Sequence, residues 1–248
     1  MTDNLKKIDS FAKDAIGETP ELVEILGILN PELSDEQFRE NMALYLGRKS
    51  IPKKMLALVA LGVAIANGQK DSSKVHFELA RNLGATDNEI LDVIKIGKMA
   101  LMSSTLSALK STASIFALHS GSDAQSSEVE NILKNIAKTN GFENPPENLE
   151  ILSKISFDLL NEHIREKTFL LSPFEIEKKY VFLIAYGISI SIRDPDCASV
   201  YLNAYFNSGG KIDEVVDTIA VSRFITGNKA LTSSIDILKM MVNPRGRK

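Results

Sequence analysis

The chain has 248 residues, of which 44% are hydrophobic and 25% are charged, so it can bury one sizeable core or two smaller ones. Its 29 Lys and Arg residues nearly balance 32 Asp and Glu residues. Because no long block of like charge occurs, we expect neither a nucleic-acid partner nor a polybasic membrane patch. The single cysteine excludes an internal disulfide, a CxxC motif and a four-ligand zinc site.

Helix-start signals are frequent along the chain and strand signals are nearly absent, so the predicted fold class is all-α. Capping boxes begin at Ser34, Thr86, Ser127 and Ser172, and Pro173 follows the last of these at the first helical position. In chain order, helices are predicted at 4–16, 20–29, 34–47, 52–67, 71–83, 86–100, 102–118, 127–139, 146–155, 157–171, 173–193, 195–208, 213–225 and 228–242.

Neither the start of the sequence nor its apolar runs suggest a membrane. Residues 1–17 carry charges where a secretory signal needs an apolar run, so we expect a cytoplasmic protein. The longest apolar runs, Met55–Ala66 and Tyr180–Ile192, are shorter than the roughly 20 residues that cross a bilayer. They are predicted to be buried helices.

The sequence contains an internal repeat. Residues 53–106 align without a gap to residues 178–231, and 14 of the 54 positions are identical, where chance gives about three. Weaker similarity, shifted by one residue, extends upstream, for example from residues 38–40 to residues 164–166. We therefore expect two units, residues 1–120 and 126–248, joined by a polar loop at 119–127. Two copies are too few for a solenoid, which favours a pseudo-twofold pair within one chain.

The stretch DSSKVHFELARNLGATDNEI, residues 71–90, is mostly architectural. Gly84 is predicted at a helix C′ position with positive φ, and Thr86 with Glu89 forms the capping box of the next helix. His76 takes part in neither the glycine stop nor the capping box. It is therefore the residue of this stretch that calls for another explanation.

This pattern, with the apolar helix before it, resembles the carboxymuconolactone decarboxylase-like superfamily, which includes the AhpD-type alkylhydroperoxidases. The resemblance is strongest from Lys53 to Ile94 and weaker from Lys178 to Ile219. It implies an all-α fold that packs into oligomers, with some members carrying the unit twice. The pseudo-dimer could remain a monomer or pair again with a second chain.

Redox-active members of this superfamily carry C-x-x-C-x-x-x-H, with a glutamate on the preceding helix. At the matching positions the first unit has Gln69, Ser72, His76 and Ala57, and the second has Asp194, Cys197, Tyr201 and Phe182. In the dithiol cycle one thiolate attacks peroxide and a second thiol resolves the sulfenic acid. Neither unit contains a thiol pair, so the resemblance does not imply that cycle here.

His76 is the first candidate catalytic residue, as a proton carrier, with Ser72 one helical turn before it. The alternative is a histidine kept for hydrogen bonding at a helix interface. No cofactor and no metal ligand set is predicted.

Cys197 and Tyr201 are weaker candidates. Asp194 is expected to cap a helix with Pro195 at its first position, which places the Cys197 sulfur in the first turn. Cys197 could support a one-cysteine peroxidase, form an intermolecular disulfide or be a small half-buried side chain. Tyr201 could donate a proton or pack in the core. His119 and His163 are predicted to be solvated, and the match of Ser107 and Lys110 to a serine–lysine motif is attributed to chance.

Three functions follow as hypotheses. The first is binding or transformation of a small molecule near His76. If the molecule is anionic, its carboxylate would be held by Lys53, Lys54 or Lys74, and a decarboxylase-type proton transfer would follow. The second is a structural or interaction protein with degenerate sites. The third is an antioxidant peroxidase that uses Cys197.

Overall fold

The structure is a computed structural model that describes residues 10, 13, 20–119, 127–139 and 143–243. Every regular element in these ranges is a helix, which confirms the all-α prediction. The helix predicted at 4–16 and most of the predicted polar junction lie outside the described residues. No helix within the described ranges is long and apolar enough to cross a membrane.

The described residues form thirteen α-helices and one π-helical turn, Met42–Leu46, that follows the second of them. The helices are α1 Glu21–Leu29, α2 Pro31–Asn41, α3 Lys53–Ala66, α4 Lys70–Asn82, α5 Asp87–Ser107, α6 Leu109–His119, α7 Ser127–Thr139, α8 Glu147–Ile155, α9 Phe157–Leu170, α10 Lys178–Ser191, α11 Pro195–Asn207, α12 Ile212–Ser233 and α13 Ile235–Val242.

The chain divides into two compact units that do not coincide with the segments on either side of the predicted junction. Unit 1 combines Met1–Ile90 with Ile212–Lys248, and unit 2 is Leu91–Lys211. Unit 1 therefore takes α12 and α13 from the last part of the chain, and unit 2 takes most of α5 and all of α6 from before the predicted junction. The boundaries 1–120 and 126–248 remain a prediction about the sequence repeat.

Unit 1 is built around α3. All ten residues from Met55 to Ala64 are buried, as the nearly continuous apolar sequence of this helix predicts. Helices α4 and α12 pack against α3. Gly84 ends the turn after α4 with φ of 84°, and the reciprocal hydrogen bonds between Thr86 and Glu89 form the predicted capping box at the start of α5.

Unit 2 contains the buried helix α10, which packs against α11. A second apolar cluster joins α7, α8 and α9 through Val129, Leu133, Leu149, Leu152 and Leu160. Helix α7 begins at Ser127 as predicted, and its apolar face meets the partly buried Leu106 and Leu109 in this cluster.

Two predicted helix starts are wrong. Helix α2 begins at Pro31 rather than Ser34, because the side chain of Asn30 accepts the N–H of Leu33 at 3.0 Å and caps the helix. Helix α10 begins at Lys178 rather than Pro173.

The delayed start of α10 has a tertiary cause. The buried carboxylate of Asp92 accepts the N–H groups of Phe174, Glu175 and Ile176 at 2.7, 2.9 and 3.1 Å. These groups are therefore satisfied without a helix. In unit 1, Asp217 does the same for the loop before α3, accepting the N–H of Ser50 at 2.7 Å.

Two predicted breaks are also misplaced. The helices predicted at 86–100 and 102–118 are observed as α5 and α6 with the break at Ala108, and those predicted at 213–225 and 228–242 are observed as α12 and α13 with the break at Ser234. Both long helices continue through a glycine, Gly97 and Gly227 respectively, at which an added Cβ would meet nothing within 4 Å.

Candidate functional site

Unit 1 contains a cavity of about 380 Å³, here called cavity 1, between α1, α2, α4 and α12. Its walls are mainly apolar side chains, Leu22, Val23, Leu26, Phe38, Leu46, Val75, Leu79, Phe224 and Ile235. Uncharged polar side chains also line it, namely Ser34, Gln37, Asn41, Tyr45, Ser72, His76, Asn228 and Thr232. Candidates Ser72 and His76 thus share one cavity.

His76 is buried, with only 7% of its surface exposed. Its Nδ1 lies 3.4 Å from the Tyr45 hydroxyl, and the two rings meet edge to face at 5.4 Å between centroids. Burial lowers the pKa of His76 to about 4, since desolvation disfavours the imidazolium. The imidazole is therefore neutral at pH 7, with one nitrogen able to accept a proton. Burial also raises the pKa of Tyr45, which stays protonated.

The π-helical turn places Tyr45 in the cavity wall. The turn ends where the N–H of Gly47 binds the Met42 carbonyl at 2.8 Å, and a Cβ at position 47 would lie 2.1 Å from that oxygen. Glycine is thus required for the close approach. Across the cavity, the Gln37 amide donates to Asn228 at 2.9 Å, which joins α2 to α12.

The other first-unit positions carried over from the superfamily motif do not complete a catalytic set. Ala57 is fully buried in α3, and Gln69 donates to the Ile225 carbonyl at 2.9 Å. Of the three candidate cations, Lys53 binds the carbonyls of Leu46 and Arg48.

The remaining two candidate cations differ in their access to cavity 1. Lys54 forms an ion pair with Glu89, near the start of α5, at 2.7 Å. Its charge is therefore already paired. Lys74 lines the cavity, but its side chain is 80% exposed and lies 3.6 Å from Asp71. Lys74 therefore marks the rim of the cavity, and the interior has no cationic lining residue.

Unit 2 contains a smaller cavity of about 270 Å³, here called cavity 2. Cys197 and Tyr201 line it from α11, and His163 and Lys167 line it from α9. Each pair is one helical turn apart and therefore faces the same side of its helix. Ser103, Lys110 and Asn148 complete much of the polar lining.

Asp194 caps α11 as predicted, accepting the N–H of Cys197 at 3.1 Å. The Ser107 hydroxyl donates to the same oxygen at 2.8 Å, and Lys110 pairs with Asp196 at 2.8 Å. Ser107 and Lys110 thus have definite structural roles at the start of α11. These structural roles do not involve the serine–lysine motif that the two residues match in sequence.

Cys197 is buried. Burial raises the pKa of its thiol, and the hydrogen bond to Asp194 and that carboxylate's charge raise it further. Lys167 and Ser103 lower it, but by less. A buried thiol of raised pKa is a poor nucleophile, which argues against a peroxidatic thiolate in this environment.

The prediction that His163 is solvated is wrong. His163 is 8% exposed and lines cavity 2, because the side of α9 that carries it faces inward. Burial, and then the charge of Lys167, lowers its pKa to about 4. Tyr201 is also buried, which raises the pKa of its phenol. The side chain of His119 lies outside the described residues.

The two cavities use corresponding positions of the predicted repeat. With an offset of 125 residues, Ser72 and His76 correspond to Cys197 and Tyr201, and Asn228 corresponds to Ser103. With the upstream offset of 126, Gln37 and Asn41 correspond to His163 and Lys167. Sequence reasoning missed Gln37, Asn41, Tyr45, His163 and Lys167, although the one-residue shift of the repeat was a signal for four of them.

In the ranges that the structure describes, no group of three or more His, Cys, Asp and Glu side chains is arranged to hold a metal ion.

Comparison with known proteins addresses the family. Residues 32–112 match the model of the Carboxymuconolactone decarboxylase family. The matched segment is therefore similar to members of that family. The match contains Tyr45, Ser72 and His76, and it confirms the superfamily that the sequence resembles.

A solved structure shares the fold over nearly the whole chain. A solved structure from Burkholderia xenovorans LB400, which carries the name of a gamma-carboxymuconolactone decarboxylase subunit, superposes with a TM-score of 0.83 and covers 98% of both chains. The two sequences are 13% identical, so this likeness establishes the fold alone. No curated protein matches the sequence.

Proposed function

We propose that the chain binds a small, mainly apolar molecule with an oxygen-containing polar group in cavity 1, and that His76 transfers a proton to or from it. The observation that carries the proposal is the position of His76, buried in the wall of a cavity of about 380 Å³ with Nδ1 beside the Tyr45 hydroxyl.

The lining indicates the class of ligand. The interior is apolar apart from uncharged hydroxyl, amide and imidazole groups, whereas the charged lining residues Glu21, Asp71 and Lys74 are exposed. A cavity of this kind favours an uncharged ring with a carbonyl or hydroxyl oxygen. A carboxylate on the ligand is best placed at the rim, where Lys74 can meet it.

The chemistry follows from the neutral imidazole. If Nδ1 carries the hydrogen and donates to the Tyr45 oxygen, Nε2 is free to accept a proton from a carbon next to a carbonyl group. Ser72, one turn before His76, adds a hydroxyl on the same side of α4. The name of the Burkholderia relative supports a lactone as the first substrate class to test.

Two probes separate the parts of this proposal: γ-butyrolactone, and the same ring bearing a carboxylate, 5-oxotetrahydrofuran-3-carboxylate. We expect calorimetry to detect binding of both, and Lys74→Ala to weaken only the carboxylated probe. In D₂O, we expect the protein to accelerate exchange of the hydrogens next to the lactone carbonyl. His76→Phe should abolish that acceleration, whereas His163→Phe, which removes the buried histidine of cavity 2, should retain it.

The outcomes have distinct meanings. Binding without accelerated exchange would favour a binding protein over an enzyme. Absence of binding, or binding that Val75→Phe does not reduce although it narrows cavity 1, would overturn the proposal.

A further inference from the structure

Cavity 2 differs from cavity 1 in being lined by a half-buried lysine that has no ion-pair partner among the described residues. Lys167 is half-buried, and its ammonium lies 6.0 Å from the centre of the Tyr201 ring. Within the described part of the chain, no carboxylate forms an ion pair with it. Burial lowers the pKa of Lys167, because an ammonium removed from water without a counter-charge is destabilised.

The acidic side chains of cavity 2 do not supply that counter-charge. Asp196 lies 2.8 Å from Lys110, which neutralises it. Glu147 lies 3.5 Å from Lys110, and its side chain is 64% exposed to solvent. Lys167 is therefore left as the cation that an incoming anion can pair with.

The groups around Lys167 are uncharged hydrogen-bonding partners at neutral pH. The Tyr201 phenol and Cys197 thiol stay protonated because burial raises the pKa of each. Ser103 lines the same cavity and lowers the pKa of both groups, but by less than burial raises it. A carboxylate on Lys167 would thus find hydroxyl donors within the same wall, whereas the lining carboxylates Asp196 and Glu147 are paired with Lys110.

Asn148 supplies a second polar point in the lining. Its side chain is 7% exposed, and its Oδ1 has no hydrogen-bond partner among the described residues. A buried amide oxygen without a partner costs stability, and a ligand hydroxyl that donates to it would remove that cost. The volume of about 270 Å³ is below the range typical of drug-sized ligands.

We propose that cavity 2 is a binding site for a small hydroxycarboxylate, with the carboxylate on the Lys167 ammonium and the hydroxyl on the Asn148 side chain. The site is distinct from cavity 1 and does not depend on the function proposed for it. At the corresponding positions, cavity 1 has the uncharged Gln37 and Asn41 in place of His163 and Lys167. The same fold thus provides one cavity for an uncharged ring and one for an anion.

Calorimetry with glycolate tests the proposal, with acetate as the carboxylate lacking a hydroxyl and ethylene glycol as the hydroxyl compound lacking a carboxylate. We expect glycolate to bind more tightly than acetate, and ethylene glycol not to bind. Lys167→Met should weaken glycolate about tenfold or more. Lys154→Met, which removes an exposed lysine of the same unit, should leave glycolate binding unchanged.

One further variant and one spectroscopic signal identify the contacts. Asn148→Leu should remove the preference for glycolate over acetate and leave acetate binding intact. If Lys167→Met does not fold, NMR of the unaltered protein replaces it, and bound glycolate should raise the pKa of the Lys167 ammonium by supplying a counter-charge.

Three results would overturn the proposal: no glycolate binding at millimolar concentrations, binding that Lys167→Met leaves intact, or a Lys167 resonance that glycolate does not shift. Inorganic phosphate is the comparison for another source of negative charge. Tighter binding of phosphate than of glycolate, insensitive to Asn148→Leu, would show a general anion site instead of a hydroxycarboxylate site.

Discussion

The hydroxyl of Tyr45 lies 3.4 Å from Nδ1 of His76, and both side chains are buried in the wall of cavity 1. A tyrosine hydroxyl can donate to or accept from a neutral imidazole, but it cannot balance the charge of an imidazolium. Burial is what lowers the pKa of His76 to about 4. Folding therefore favours the neutral histidine, which couples the stability of the protein to pH.

The first prediction concerns that coupling. His76 and His163 both have a pKa of about 4 in the folded protein, whereas an unfolded histidine has a pKa near 6.5. Between pH 6.5 and 4 the unfolded chain binds more protons, so the free energy of unfolding falls as the pH falls and is fully retained above pH 6.5. Each histidine should cost about 2 kcal/mol of stability between pH 7 and pH 5.

Urea denaturation at pH 7 and pH 5 measures this loss. His76→Phe and His163→Phe should each remove about half of the histidine contribution, and the double variant should remove nearly all of it. Exposed carboxylates contribute a background that is common to all four proteins. Equal losses in all four proteins would contradict the assigned burial of the two rings.

The second prediction concerns the carboxylate that holds the loop before α3. Asp217 is buried and accepts from Arg48 Nε at 2.6 Å and from the N–H of Ser50 at 2.7 Å. Asp217→Ala removes both acceptors and leaves the guanidinium unpaired, so it should lower the free energy of unfolding by about 3 kcal/mol. Asp213→Ala, an exposed position on the same helix, should change it by less than about 0.5 kcal/mol.

The same experiment distinguishes a loop anchor from a catalytic carboxylate. Asp217 is 1% exposed and does not line cavity 1. Lactone binding by Asp217→Ala under conditions where it is folded should therefore match that of the unaltered chain. Normal stability with lost binding would assign Asp217 to the site instead.

Local sequence signals predicted much of the fold. The bounds of α3, α4 and α11 lie within one residue of the prediction, since apolar periodicity, glycine stops and the cap at Asp194 act over a few residues. The start of α10 could not be predicted in this way. The capping box at Ser172 is a sound local signal, but Asp92, about eighty residues earlier, takes the backbone N–H groups that the helix would use.

The candidate site residues also divide into those that sequence signals reveal and those that depend on tertiary packing. His76, Ser72, Cys197 and Tyr201 were found because they occupy motif positions of a recognisable superfamily. Lys167 and His163 were missed because their helix, NEHIREK in sequence, has the charge pattern of a solvated face. Both line cavity 2 together with Ser103, Cys197 and Tyr201, a tertiary relationship that no local pattern of α9 records.

The third prediction concerns the reactivity of Cys197. In the folded protein at pH 8, a disulfide reagent should modify this thiol far more slowly than a free cysteine, because the side chain is buried and its pKa is raised. Asp194→Asn keeps a capping oxygen for α11 but removes the charge that raises the thiol pKa. This variant should therefore react faster, by about tenfold if the pKa falls by one unit.

Asp158→Asn, which removes an exposed charge on α9, is the matched control and should leave the labelling rate unchanged. The protein unfolded in guanidinium should react at the rate of a free thiol. Rapid labelling of the folded, unaltered protein, together with thiol-dependent consumption of hydrogen peroxide that Cys197→Ser abolishes, would instead establish the one-cysteine peroxidase.

The fourth prediction concerns a strained turn after α10. Arg193 adopts φ of 63°, whereas Gly68, the corresponding residue after α3 with an offset of 125, adopts 70° without a side chain. A left-handed conformation costs a residue with a Cβ about 1 kcal/mol. Arg193→Gly should therefore raise the free energy of unfolding by about 0.5 kcal/mol after the greater entropy of unfolded glycine is deducted. Urea denaturation measures the gain.

Gly84→Ala, at φ of 84°, should show the opposite sign, with a loss of about 1 kcal/mol in the free energy of unfolding. A loss of stability in Arg193→Gly would mean that contacts of the arginine side chain outweigh the backbone strain.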